Sequence, residues 1–229
     1  MKKITFTLVG LFVLFNCLNA QYNKVITVPS GTKIIDKFPP SVRYFYPDFS
    51  EGSVVLKNGT ANKSLLNLNV LTGEIEFIQN KDTLAIKQKV NLSMVLIKQD
   101  TFIYRGEFFR KIHSRKPVIL ERDAINLKEI VRMGAMGQPN RTSAVESYNS
   151  MNYKSNMYAI NPDADMEFRR ELEFFVLMND GELVQLRKKT VTELYPWNTS
   201  EIQKFMKSNK TNFKKRESIL QLAEFLSGL

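Results

Sequence analysis

From Gly52 to Ile86 apolar and polar side chains alternate with a period of two, and turn residues break the pattern three times. Val54 and Leu56 are followed by Lys57-Asn58-Gly59-Thr60. Leu66, Leu68 and Val70 alternate with Asn67 and Asn69 before Thr72-Gly73. Ile75 and Phe77 alternate with Glu74 and Glu76 before Asn80-Lys81-Asp82, and Leu84 and Ile86 close the set. A period of two puts alternate side chains on opposite faces of a strand, and Asn-Gly tolerates the positive φ of a tight hairpin turn. The stretch therefore predicts an antiparallel meander with one face on a core and one face wet. Asn67, Asn69, Glu74 and Glu76 fall on the wet face, as solvated polar groups or as a ligand surface.

The rest of the mature chain extends this sheet. Lys24–Val28 is a short strand in an entry segment broken by Pro29, Gly31, Pro39 and Pro40. The aromatic cluster Tyr44, Phe45, Tyr46 and Phe49 reads as a lid on the end of a β-core, with a sugar-stacking platform as the alternative. Val90–Ile97 and Thr101–Arg105 form a strand pair, and Phe108-Phe109 and Pro117–Leu120 continue it. Asn126–Val131 is expected to form a short helix. A polar stretch follows from Gly134 to about Asp165, long enough to be functional or mobile. Asn179-Asp180-Gly181 turns a hairpin. Asn198 or Thr199 is placed to cap a helix with Ile202, Phe205 and Met206 on one face, and a final helix carries Ile219, Leu222, Phe225 and Leu226.

The predicted fold is α+β, an antiparallel β-meander sheet of six to nine strands with a C-terminal α-helical hairpin. Residues 1–20 form a signal peptide, 21–125 an antiparallel β-rich region, and 126–229 an α+β region with the long polar loop, a β-hairpin and the helix pair. The last two are expected to form one compact unit.

Residues 1–20 begin with Lys2 and Lys3, run through a short apolar segment and end at Ala20, the layout of an export signal. Cys17 is the alternative mark, a lipid acceptor, although Asn16 stands where a small residue is wanted. Cleavage after Ala20 removes the only cysteine, so no disulfide is expected and stability must come from the core. With 33 basic and 23 acidic residues the chain carries a net charge of +10. In an exported protein that charge suits anionic lipid headgroups or glycans rather than nucleic acid.

The inventory argues against most enzyme chemistry. One histidine, His113, and no mature thiol leave no common zinc site and no Cys nucleophile. No Gly-x-Ser-x-Gly elbow accompanies His113. Glu74 and Glu76, spaced i and i+2, sit side by side on a strand instead of across a substrate, a poor hydrolase pair. Gly134–Gly137 lacks the strand and lysine of a phosphate loop. No catalytic residue, metal or cofactor is assigned. Arg110, Lys111, Arg115 and Lys116 form a basic strand edge that guards against edge pairing and are the candidate anion contacts.

The runs Tyr46-Pro47-x-Phe49-x-x-Gly52, Lys57-Asn58-Gly59, Leu65-Leu66-Asn67-x-Asn69, Thr72-Gly73-Glu74-Ile75 and Lys81-Asp82-Thr83-Leu84 resemble a group of uncharacterised exported proteins of Bacteroidetes-type bacteria. The closing Leu194-Tyr195-Pro196, Ile202 and Lys207-Ser208-Asn209 are similar to their usual ending. The resemblance implies an envelope location and no activity. Asp82-Thr83-Leu84 also resembles the O-glycan acceptor of such bacteria, which makes Thr83 a candidate glycosylation site. The ending Ser227-Gly228-Leu229 does not resemble their surface-sorting domain, which implies retention in the periplasm.

Together these readings predict a non-enzymatic accessory or interaction protein, in the periplasm or at the periplasmic face of the outer membrane. It has an envelope protein partner, no nucleic-acid partner and no transmembrane segment after signal cleavage. The alternative is a binding module for an anionic envelope glycan or lipid.

Overall fold

Strand follows strand for most of the chain because turn residues punctuate β-branched and aromatic runs, and the ladders that result are antiparallel in every pairing resolved. The computed structural model describes residues 25–133, 138–143 and 163–229. The expected export signal with Cys17, the Gly134–Gly137 segment and most of the polar stretch lie outside the described residues. The strands in chain order are β1 (Val25–Val28), β2 (Ser50–Leu56), β3 (Ala61–Asn69), β4 (Glu74–Gln79), β5 (Asp82–Ala85), β6 (Leu92–Ile97), β7 (Asp100–Arg105), β8 (Glu107–His113), β9 (Val118–Met133), β10 (Pro139–Ser143), β11 (Asp165–Leu177) and β12 (Leu183–Gln185). The helices are a single turn α1 (Pro40–Arg43), then α2 (Lys188–Leu194), α3 (Thr199–Ser208) and α4 (Arg216–Leu226). The architecture is α+β, a meander with C-terminal helices, as the pattern predicts.

These residues divide into two units. The first takes in residues 25–39 and 125–171. Here β1 pairs with β11 from Val25↔Arg169 to Val28↔Met166, and β10 pairs with β9 from Pro139↔Met133 to Ser143↔Glu129. Val28, Ile34, Phe38, Ile125, Ile130 and Phe168 are buried in it, and Phe38 meets Phe168 edge-on at 5.2 Å. Lys128 pairs with Glu171, and Arg141 with Glu129 and Glu167.

The second unit, residues 40–124 and 172–229, carries the meander. Its strand order runs β11-β9-β8-β7-β6-β2-β3-β4-β5, with β12 on β11. The turns hold the expected geometry: Gly59, Gly73 and Gly181 have φ of 87°, 74° and 90°, and Asn80 and Lys81 have 51° and 71°. Helices α2, α3 and α4 cover Ile119, Phe174 and Val176 with Val191, Ile202, Met206, Ile219, Leu222 and Leu226. Phe205 stacks on Phe225 at 4.2 Å, so α3 and α4 form the expected helical hairpin.

Three local expectations fail. Asn126–Val131 is not a helix but the distal part of β9, where residues 129–133 pair with β10 and Ile125 and Ile130 are buried. Ladder partners override a weak local preference. The Pro139–Ser143 strand likewise takes five residues out of the expected loop, and with β12 brings the described strands to twelve, above the six to nine expected. At α3 neither Asn198 nor Thr199 caps with its side chain; the Thr199 hydroxyl donates to the Pro196 carbonyl instead.

Gly52 fixes how closely β2 and β6 approach. A Cβ there would stand 2.3 Å from the Leu96 carbonyl oxygen and 2.8 Å from Leu66 Cδ1. Backbone oxygen in a central ladder has little room to yield. Gly52→Ala is therefore expected to lower the unfolding free energy by about 2 kcal/mol in urea titrations, an overpacking cost. Ser53→Ala next to it should change it by less than about 0.5 kcal/mol. Equal effects would contradict this account of the close approach.

Candidate functional site

The face expected to be wet is buried. Asn67 and Asn69 are 0% exposed and Glu76 is 6% exposed, because residues 43–46 run back across this part of the sheet. Phe45 N–H donates to the Leu68 carbonyl and Val70 N–H to the Arg43 carbonyl. The Asn67 side chain acts as one more peptide group, accepting from Tyr46 N–H at 3.0 Å and donating to the Tyr46 carbonyl at 2.9 Å. Glu76 accepts from the Tyr44 hydroxyl at 2.6 Å and from Asn69 Nδ2 at 2.9 Å. Glu74 pairs with Lys89. Asn67, Asn69 and Glu76, which alternate correctly for solvent, thus find hydrogen-bond partners inside, as buried polar groups must.

A second buried network crosses the middle of the sheet. Val95, Phe102, Arg110 and Glu121 stand opposite one another on β6, β7, β8 and β9, and so share a face. Arg110 is 8% exposed and donates to Glu121 at 2.7 Å and to Asp100 at 3.3 Å, with its guanidinium 4.7 Å above the Phe45 ring. Arg216, at the start of α4, holds both oxygens of the same Glu121, at 2.5 and 2.8 Å. The Tyr46 hydroxyl donates to Asp100 at 2.5 Å. Burial, then the hydrogen bond to Asp100, raises the Tyr46 phenol above its ordinary range, and Tyr44 is raised in the same way by burial and Glu76. Burial works against ionising the Glu121 carboxyl and the Arg110 charge beside it favours the ionised form, so the carboxylate depends on its guanidinium partners.

The candidate anion contacts are dispersed. Arg110 is inside and paired. Lys111, next to it on β8, faces the opposite way and stands across from Thr101 and Leu120. Arg115 is exposed but bound to Glu224 on α4, whose carboxyl it holds below the usual range. Lys116 is exposed. His113 Nδ1 lies 2.8 Å from the Pro117 carbonyl and 3.1 Å from that of Arg115, so this nitrogen carries the proton and donates. Its Nε2 is 3.5 Å from Glu224. Thr83 is exposed on β5, opposite Ile78. The aromatic cluster packs inward: Phe45 lies edge-on to Phe102 at 5.9 Å, and Tyr44 to Phe49 at 5.1 Å.

The open feature of this unit lies elsewhere. A groove of about 710 Å³ runs across β2, β3, β4 and β5. Val54, Phe77, Leu84 and Ile86 make its floor apolar, with Leu84 43% exposed, while the registers Ser53↔Lys63, Ile78↔Thr83 and Glu76↔Ala85 put Lys63, Ile78 and Ala85 on the opposite face of the sheet. Its charged lining residue is Lys87, with Asn62, Ser64, Gln79 and Gln88 as the polar remainder. No carboxylate lines it, and among the described residues Lys87 has no ion-pair partner. One signal in the sequence pointed here: Phe77-Ile78 puts apolar side chains on both faces of β4, where a half-wet strand would alternate. At the groove's outer side β5 has β4 as its one neighbour among the described strands.

Comparisons fit no label to this arrangement. No family model, curated protein or solved structure matches the chain. Among the described residues no helix is long and apolar enough to cross a membrane, which leaves spanning by strands unaddressed, and no three His, Cys, Asp or Glu side chains gather as a metal-holding group.

Truncating Glu121 would strip the buried Arg110 guanidinium and the half-buried Arg216 guanidinium of a shared acceptor. Glu121→Ala is expected to lower the unfolding free energy by about 3–5 kcal/mol, the usual result of breaking a buried ion pair; a loss below about 1 kcal/mol, read from urea titrations, would mean that the network carries little of the fold.

Proposed function

We propose that this chain is a non-enzymatic exported protein of the cell envelope, an accessory or interaction protein at the periplasm or the periplasmic face of the outer membrane. It works by holding another molecule in the groove over β2–β5. The observation that carries the reading is that groove: an apolar trough of Val54, Phe77 and half-exposed Leu84, open beside the sheet edge. Pockets of this size and apolar character with a few convergent polar groups are the usual form of a binding site. Proton-transfer groups are engaged elsewhere. Glu76, Asp100 and Glu121 each hold structural partners, which suits capture better than turnover. Export is supported by the layout of residues 1–20 and by the resemblance to exported proteins, and a basic surface suits anionic envelope material.

A photo-crosslinking residue at position 84, in the groove, tests this in the native envelope, with position 203 on the exposed side of α3 as the control. The expected result is an adduct of defined mass from position 84 and none from position 203. No adduct at 84, or equal yields from both, would contradict the reading.

A further inference from the structure

Resting on the binding reading above, we infer that the occupant of the groove is a polypeptide: an extended segment of a partner protein that adds to β5 as one more antiparallel strand, apolar at every second residue. The hydrogen bonding of β5 decides which of its backbone groups are available. Ile86 N–H donates to the Ile75 carbonyl at 3.0 Å, and the β4–β5 register runs unbroken from Glu76↔Ala85 to Gln79↔Asp82. Bonded and non-bonded pairs alternate along an antiparallel ladder. Ile75 with Ile86, Phe77 with Leu84 and Gln79 with Asp82 are therefore the bonded pairs. Thr83 and Ala85 turn their N–H and C=O groups the other way, to the side of β5 where no described strand lies.

Edges of this kind are ordinarily blunted by charge, proline or a bulge. Thr83-Leu84-Ala85-Ile86 has neither a charge nor a proline, and its ladder lacks the register shifts found between β2 and β6 and between β8 and β9. A row of outward donors and acceptors at strand spacing is matched by another polypeptide backbone. A hydrocarbon chain in the trough would leave that row unused. Side-chain direction agrees. Leu84 stands between Thr83 and Ala85 and turns to the groove face, with Phe77 and Val54 behind it. A strand bonded to Thr83 and Ala85 sets its own residue against Leu84 in a non-bonded pair, the arrangement in which side chains come closest. An apolar side chain there covers Leu84, which is 43% exposed. Main-chain bonds then supply affinity, and the trough selects the side chains.

Amide hydrogen exchange read by NMR, on the protein alone and with a soluble extract of the native envelope, tests the inference. In the protein alone the Leu84 and Ile86 amides exchange slowly and those of Thr83 and Ala85 quickly. With the extract the Thr83 and Ala85 amides are expected to slow by about tenfold or more as they gain ladder bonds, and the adduct at position 84 to be a polypeptide that a protease shortens. Ala85→Pro removes an outward donor and leaves the bonds to β4 in place, as proline on an edge strand can. It should abolish that adduct, whereas Ala85→Val should keep it. Slow Leu84 and Ile86 amides in Ala85→Pro check that β5 stays paired, and the wild-type exchange result stands without that variant. Unchanged exchange at Thr83 and Ala85 while the Leu84 methyls shift, a lipid or glycan adduct at position 84, or equal adducts from Ala85→Pro and Ala85→Val would overturn strand addition and leave the binding reading standing. No adduct at 84 and no methyl shift would remove the groove as a site.

Discussion

Arg110 brings a permanent charge into the middle of a sheet, and its surroundings answer that charge. Asp100 and Glu121 accept its hydrogen bonds, and the Phe45 ring lies beneath its guanidinium. A lone buried cation would cost more than the fold can supply, so each neighbour is needed. The same demand reaches further. Two acids near one arginine leave negative charge in excess, and Arg216 supplies the second cation from the start of α4. The helical hairpin is thereby tied to the sheet by a directional contact as well as by the apolar surface under Ile219, Leu222 and Leu226. Apolar packing alone tolerates sliding; a two-oxygen grip by one guanidinium does not.

The polar face of the meander follows the same logic on a smaller scale. Asn67, Asn69 and Glu76 are interior because residues 43–46 lay backbone donors and acceptors across them. Together the two networks occupy Tyr44, Tyr46, Asp100, Arg110 and Glu121, groups that would otherwise be the natural candidates for chemistry. What stays open to solvent in this unit is a trough whose lining has no acid. Division of labour is the result: ionisable groups hold the sheet together, and the apolar groove faces outward.

The sequence exposed some of this and hid the rest, for physical reasons. Turns were legible because their chemistry is local: Gly59, Gly73, Asn80 and Gly181 adopt the left-handed backbone their residue types favour, and Lys81 beside Asn80 follows. The period of two located β2 to β5 and the helical hairpin was visible from its apolar stripes. Burial of Asn67 and Asn69 was not legible, since an alternating pattern cannot say which distant segment will cover its polar side. Nor was the pairing of Arg110, where strand-edge guarding and anion contact both looked natural; β8 instead lies between β7 and β9, and the Glu121 that accepts from Arg110 is also held by Arg216, 95 residues further along. Asn126–Val131 looked helical for want of knowledge that Pro139–Ser143 would pair with the end of the same strand. The groove was the least legible feature, because it is defined by apolar side chains that nothing among the described residues covers, and coverage is a property of the fold.

The central claim is that binding belongs to the groove and the charged network belongs to the fold. Methyl-resolved NMR of the protein titrated with a soluble extract of the native envelope tests both halves at once. The account predicts shifts concentrated on the methyl groups of Val54, Leu84 and Ile86, with those of Ile119, Leu120 and Leu222 unmoved. Shifts centred on Leu120 and on Ile112, beside Lys111 and Arg115, with Leu84 silent, would contradict it and place the ligand beside the basic residues of β8.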